Sequence, residues 1–359
     1  MKLLIDFESR SRADLPSTGQ HVYARHESTE VMCLGWKVIG EKSAHVLTMP
    51  QVYTNDGTSD FRYAVKEAEF VVAHNAAFEQ AMWKHCLLPT TAIGSHLPDL
   101  PPEKWVCTLS LCSILALPRS LEKAGEALNL DVKKDTEGRK LLLQMCKPRR
   151  PIQNIGKWLE WIESDDALKR LYEYCRTDLW TEEALFLKTA PYKPFTRFER
   201  DLWVLDQKIN QRGFAIDKAL VERVLSLITQ EETELTKDLQ TKTFGWVKTV
   251  KQTKNLKSFL EDQGFSIPNL QKKTVDETLD KILKEGSIKN QDVIDVLKIR
   301  QSLGKSSTSK YEAFLNRVDP LDGRVRDNLL FHGASTGRWS GAGVQPQNFP
   351  RGTVKITPS

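Results

Sequence analysis

The chain has 359 residues, 40% of them apolar and 28% charged, which excludes a disordered or fibrous protein and leaves room for two or three domains with cores of their own. Six scattered cysteines, Cys33, Cys86, Cys107, Cys112, Cys146 and Cys175, form no C-x-x-C pair and have no matching histidine pattern. They read as free core thiols in a reducing compartment rather than as a zinc site. The charge is uneven: residues 1–190 carry net −2 and residues 191–359 net +7, so the front looks acid-lined and the back suited to a polyanion.

Lys2-Leu-Leu-Ile-Asp-Phe-Glu8 reads as a strand with Leu3, Ile5 and Phe7 facing one way and Asp6 and Glu8 the other. Neighbouring carboxylates on an interior strand repel and lose hydration, a cost that a divalent cation between them removes. A solvated acidic strand end is the plainer alternative. A polar loop then leads to strands at Val31–Val38 and Ala44–Leu47, an antiparallel meander opening a mixed sheet. A helix is expected at Phe61–Ala68 and a buried strand at Phe70–Ala73. Asn75 is a good N-cap, which places Glu79 just past the first turn of a helix at the strand's C-terminal end. Taken alone, Glu79 equally suits the helix dipole.

Leu87–Trp105 reads as a Pro-rich connection, followed by helices at Thr108–Leu115, Ser120–Leu128 and Glu137–Met145. The clearest helix of this half, Asp165–Leu187, carries Leu171, Cys175 and Leu185 as an apolar stripe. Tyr174 and Asp178, at i and i+4, fall on or beside it. An aspartate there either has a partner or sits at the edge in water.

Ala190–Pro194 reads as a linker. Beyond it come amphipathic helices: Thr196–Arg212 stopped by Gly213, one from about Lys218 to Thr241 capped by Asp217, then Val275–Lys284 and Asp292–Leu303. Leu239–Leu260 holds no acid, and its Lys248, Lys251, Lys254 and Lys257 suit phosphate contact. Gly304–Lys310, with Lys305, Ser306 and Lys310, offers amines and hydroxyls to phosphate but is no P-loop. Arg324–Arg351 is rich in Gly, Ser, Gln, Asn and Arg, side chains that reach phosphates, sugars and groove edges.

Together, Asp6, Glu8, Glu79 and Asp178 are four carboxylates, and Tyr174 adds a phenol. Two Mg2+ or Mn2+ ions ~4 Å apart can clamp the attacking and leaving oxygens of a phosphoryl displacement. Asp6 is the natural bridge, Glu8 and Asp178 complete one ion's ligands, Glu79 acts through the second ion's waters, and Tyr174 positions the attacking water.

The pattern Asp6-Phe-Glu8, His74-Asn-Ala-Ala-Phe-Glu79 and Tyr174-Cys-Arg-Thr-Asp178 resembles the three motifs of the ribonuclease-H-like 3′–5′ exonucleases, in the branch with tyrosine in the third motif. Glu79 stands where most of that family has aspartate, a longer side chain that still supplies a carboxylate. Asn75 and Phe78 are expected to touch the DNA. Thr336-Gly-Arg-Trp-Ser340 and Gln347-Asn-Phe-Pro-Arg351 are similar to the segment that leads into the palm of family A DNA polymerases, with a bacteriophage-like texture. By that resemblance Thr336, Arg338, Gln347 and Asn348 contact DNA.

The implied fold class is α/β: a ribonuclease-H-like mixed sheet flanked by helices (1–190), a mainly α-helical thumb-like domain (191–318) and an incomplete start of a palm (319–359). The implied function is a metal-dependent proofreading 3′–5′ exonuclease with two divalent ions, acting on a single-stranded 3′ end while a thumb grips primer–template duplex. No membrane partner is expected, and the expected location is the cytoplasm, that of an infected bacterial host for a phage protein. The polymerase's catalytic motifs do not occur here, so the expectation is either the front of a longer chain or half of a split polymerase whose other chain docks near residues 330–359. The alternatives are a non-catalytic DNA-binding or assembly subunit and, less suited to the Thr336–Arg351 segment, a ribonuclease that trims RNA ends.

Overall fold

The computed structural model describes residues 1–130, 135–149, 161–284, 291–303 and 309–349. The chain divides into two compact units, Met1–Ile216 with Asn316–Asn348, and Asp217–Leu315 with Phe349–Ser359. The helix Arg197–Arg212 and the stretch up to Asn348 thus group with the front of the chain. Among the described residues no helix is long and apolar enough to cross a membrane.

The first unit is built on a five-stranded mixed sheet. Its strands are β1 (Lys2–Arg10), β2 (Glu30–Val38), β3 (His45–Thr48), β4 (Phe70–Ala73) and β5 (Trp105–Cys107). Their order is β3-β2-β1-β4-β5, with β1, β2 and β3 antiparallel and β1–β4 and β4–β5 parallel. The expected meander is present, and β4 is where its β-branched run places it. β5 is a correction: Trp105 reads from sequence as the end of a connection, and three residues are too few to show a period-2 pattern.

Central β1 is buried on both faces. Leu3, Ile5 and Phe7 enter the largest core with Phe61, Trp83 and Trp105, while Leu4 packs on the other face with Leu179 and Phe186. The helices that matter for the site are α1 (Ala76–Met82), α2 (Thr108–Ile114), α3 (Thr136–Met145), α4 (Asp165–Thr189) and α5 (Arg197–Arg212). Ser164 caps α4, accepting from the backbone N–H of Ala167, and Asp165 and Asp166 complement the helix dipole in its first turn. The stripe Leu171, Cys175, Leu179, Phe186 lays α4 across the sheet.

Thr196 caps α5, and Gly213 ends it at φ 58°. A Cβ at Gly213 would lie 2.3 Å from the carbonyl oxygen of Val325. Only glycine lets the returning chain approach and pair Phe214 with Val325. That return is anchored by charge. Asp327 accepts from His21 Nδ1 at 2.7 Å and Gln20 Nε2 at 3.1 Å, and buried Asp319 from Arg25 at 2.6 Å and Arg326 at 3.0 Å.

The second unit is helical: α6 (Lys218–Lys242), α7 (Thr253–Asp262), α8 (Lys272–Lys284), α9 (Gln291–Leu303) and all but the last two residues of α10 (Ser309–Arg317). Asp217 caps α6 through the N–H of Leu220 at 2.9 Å, as the sequence suggests. Leu239, Leu256, Phe259, Val275, Leu279, Val293 and Leu297 form its core. The lysine-rich stretch contains α7, whose apolar spacing (Leu256, Phe259, Leu260) the charge pattern masks.

Candidate metal centre

The site starts from a register. On β1, Asp6 stands opposite Gly35 of β2, and Glu8 opposite Cys33. The ladder slips directly after Glu8, a bulge of the kind that sharpens twist and re-aims side chains beside a site. Both acids lie on the face that α4 covers, as the alternation of the strand requires. Gly35 admits α4 closely: a Cβ there would sit 2.6 Å from Cys175 Sγ. The thiol occupies that space and lies 3.6 Å from Asp6 Oδ2. Asp6, Glu8 and Cys175 each offer a ligand atom within 4.8 Å of the others, which no other three His, Cys, Asp or Glu side chains do among the described residues.

Glu79 lies in the first turn of α1, just past the turn that joins it to β4. Asn75 does precede the helix, but not as a side-chain cap. It sits in the left-handed region at φ 69° and makes no capping bond, because the chain reverses there too tightly for the side chain to point back along the helix. Phe78 N–H instead closes the turn on the Asn75 carbonyl at 2.8 Å. Glu79 is then only 4% exposed, and its Oε2 finds no hydrogen-bond partner among the described residues. A buried, unpaired carboxylate oxygen is costly and fits a cation ligand.

On α4, Tyr174 and Asp178 stand one turn apart and shift each other's titration. One turn further lies Glu182, a buried fifth carboxylate whose Oε1 is 3.4 Å from Thr108 Oγ1. The sequence reading misses it, although 174, 178 and 182 share a helical face, since an acid so far along an apolar stripe looks like an edge residue.

The electrostatics reflect this crowding. Burial, then the charge of Asp178, pushes Asp6 up to about 7. Burial and Asp6 hold Glu8, Glu79 and Glu182 well above the usual carboxylate range. Burial raises Asp178 to about 6 despite the Tyr174 hydrogen bond, and Tyr174 itself stays protonated, pushed up by burial and by Asp178. Carboxylates packed this way want positive charge. The donor set fits divalent cations, with Asp6 and Glu8 at its base and Asp178 and Glu79 in electrostatic reach.

Asp178 and Tyr174 line a cleft of about 600 Å3 with His74, Asn75, Arg119, Glu122, Asp135 and Arg139. His74 is held neutral by burial, pushed down to about 4, and its Nε2–H donates to the Arg119 carbonyl at 3.0 Å. Asn75 also borders a second cavity, of about 270 Å3, that Phe78 lines.

The expected DNA contacts are spread over both units. In the second, Lys248, Lys251 and Lys254 are exposed, whereas Lys257 is half-buried and donates to the Pro268 carbonyl at 3.2 Å. Lys310 lies 4.9 Å from the Phe349 ring centre. Lys305 and Ser306 lie outside the described residues. In the first unit Thr336, Arg338, Gln347 and Asn348 are all exposed. Between them, Trp339 donates its indole N–H to buried Asp206 at 2.7 Å, a tie the sequence reading misses.

No known family's sequence profile matches the chain. It is similar, at 29% identity over 358 residues, to a DNA polymerase of Bacillus phage SP02. The match takes in 98% of this chain and 52% of the phage protein. In fold it resembles the polymerase domain of Pol1 from M. smegmatis, solved with DNA primer–template and dNTP, at a TM-score of 0.55 and 12% identity over 98% of this chain and 52% of that one. The chain thus spans about half the length of the relatives it matches.

Proposed function

We propose that the first unit is a metal-dependent 3′–5′ DNA exonuclease of the ribonuclease-H-like kind, the editing part of a family A DNA polymerase, and that the second unit is a thumb that grips primer–template DNA. The observation that carries this is that Tyr174 and Asp178, in electrostatic reach of Asp6 and Glu8, line a cleft of about 600 Å3. The similarity to phage and bacterial DNA polymerases supports DNA as the substrate.

Asp6 and Glu8 would hold a divalent cation, with Asp178 and Glu79 available toward a second. Such ions supply charge neutralisation for the phosphodiester and activation of water at neutral pH. Tyr174 keeps its proton, orients Asp178 and presents its hydroxyl to the attacking water. Arg119 and Arg139, on the cleft wall, suit the phosphates of a single-stranded 3′ end. Neutral His74 fixes the Arg119 backbone without adding charge. The test is removal of nucleotides from a single-stranded 3′ end with Mg2+ or Mn2+. Loss of cleavage in Asp6→Ala supports the reading, and no cleavage by the unaltered chain with either metal leaves a non-catalytic DNA-binding subunit.

A further inference from the structure

We propose that Cys175 is a metal ligand, making the Asp6–Glu8 site a mixed carboxylate–thiolate centre that takes thiophilic divalent cations such as Zn2+ or Cd2+ in preference to Mg2+. This deepens the proposed function, resting on its metal site, and names what sets that site's metal preference.

The geometry is specific. A sulfur ~2.3 Å and a carboxylate oxygen ~2.0–2.2 Å from one cation at a tetrahedral angle lie about 3.6 Å apart. In the metal-free chain the Cys175 thiol donates to Asp6 Oδ2 at 3.6 Å, the same separation two ligands of one cation would have. Glu8 adds a third ligand atom within 4.8 Å of both. Independently, Glu79 presents a buried carboxylate oxygen with no partner among the described residues, under the charge of Asp6. The position is imposed by the fold. Gly35 leaves the hole that Sγ fills, and Leu171 and Leu179, one turn before and after Cys175, pin the helix to the sheet.

Soft thiolate selects Zn2+ and Cd2+, whereas Mg2+ prefers oxygen alone. On binding, the Sγ–H bond breaks, its electron pair becomes the sulfur's share of the sulfur–metal bond, and the proton leaves to solvent. No oxidant or reductant is involved.

The experiment is a Cd2+ titration of the full chain, reading the ultraviolet sulfur-to-cadmium charge-transfer absorption, with no DNA present. The unaltered chain is expected to show the band at one equivalent. Cys175→Ser, which replaces the thiol by a smaller hydroxyl and keeps the side chain's branching, should lose it and bind Cd2+ about tenfold or more weakly while its Mn2+ affinity changes far less. Asp6→Asn should also weaken Cd2+ binding, because a lone thiol elsewhere, such as half-buried Cys146, would not depend on Asp6. Circular dichroism on both variants checks that they fold, and a Cys175→Ala chain serves if the serine variant does not. A band unchanged in Cys175→Ser, or indifferent to Asp6→Asn, overturns the proposal. Cleavage with Mg2+ but no cadmium band removes this inference and leaves the nuclease standing; a band without cleavage does the reverse.

Discussion

Gly35 and Cys175 are matched across the sheet–helix interface: a Cβ on the glycine would fall 2.6 Å from the cysteine sulfur and 3.0 Å from Leu179 Cδ1. The residue opposite Asp6 on the neighbouring strand is therefore small so that α4 can bring its side chains to the acids. Gly35→Ala is expected to cost about 1–3 kcal/mol by overpacking and to weaken Mn2+ binding, since the helix must lift from the sheet. Thermal unfolding and a Mn2+ titration of the same variant check both. An unchanged Mn2+ affinity with lowered stability would show that the close approach serves packing alone.

The crowded carboxylates give a pH dependence of defined sign. Asp6 is raised in the folded chain from 3.8 to about 7, so the folded state holds a proton there that the unfolded state has released. Its contribution to stability is present below the unfolded value and is lost as pH rises through the folded one. Without divalent ions, the stability gain of Asp6→Asn over the unaltered chain is expected to be small near about pH 4 and to grow toward about pH 8. Saturating Mn2+ should shrink or reverse that gain, because the ion stabilises only the chain that binds it. Thermal melts across pH, with chelator and with Mn2+, read this out. A gain independent of pH contradicts the crowding.

Trp339 ties the returning segment to α5 through Asp206, whose carboxyl is raised by burial to about 6 and also accepts from Gln207 and Asn210. Trp339→Phe keeps most of the ring and removes the donor. It is expected to destabilise by about 1–3 kcal/mol, the range for a hydrogen bond to a charged group left without its donor. A denaturant titration checks it. Asp206→Asn should recover part of that stability in the double variant, since the uncompensated charge is gone.

Exposed Lys251 and Lys254 are expected to bind DNA phosphates. DNA affinity should fall as salt rises, and Lys251→Gln with Lys254→Gln should reduce the slope of log affinity on log salt by about 0.9 for each duplex phosphate that is no longer neutralised. Fluorescence anisotropy on a duplex at several salt concentrations measures it. An unchanged slope places the DNA elsewhere.

The site is legible in part because strand alternation and i, i+4 spacing are local. They put Asp6 with Glu8 and Tyr174 with Asp178 before any tertiary contact is known. What escapes depends on contacts distant in sequence. Cys175 is the buried free thiol the sequence suggests, but its contact with Asp6, 169 positions away across the space left by Gly35, carries no sequence signal. Glu182 stands on an apolar stripe where acids are usually at an edge. Asn75 has the right residue type for a cap, yet the tight turn gives it a left-handed backbone instead. Trp339 and Asp206, 133 residues apart, carry no sequence signal that joins them.

The most direct measurement is digestion of a 5′-labelled single-stranded DNA oligonucleotide by the full chain and by Asp178→Ala, with Mg2+ or Mn2+, alongside binding of the same oligonucleotide. The unaltered chain is expected to give a ladder shortening from the 3′ end, dependent on metal. Asp178→Ala should lower the rate about a hundredfold or more while binding changes little, as for a group that stabilises only the transition state. Absence of any ladder from the unaltered chain, or an equal ladder from Asp178→Ala, would contradict the assignment of this site as a nuclease centre.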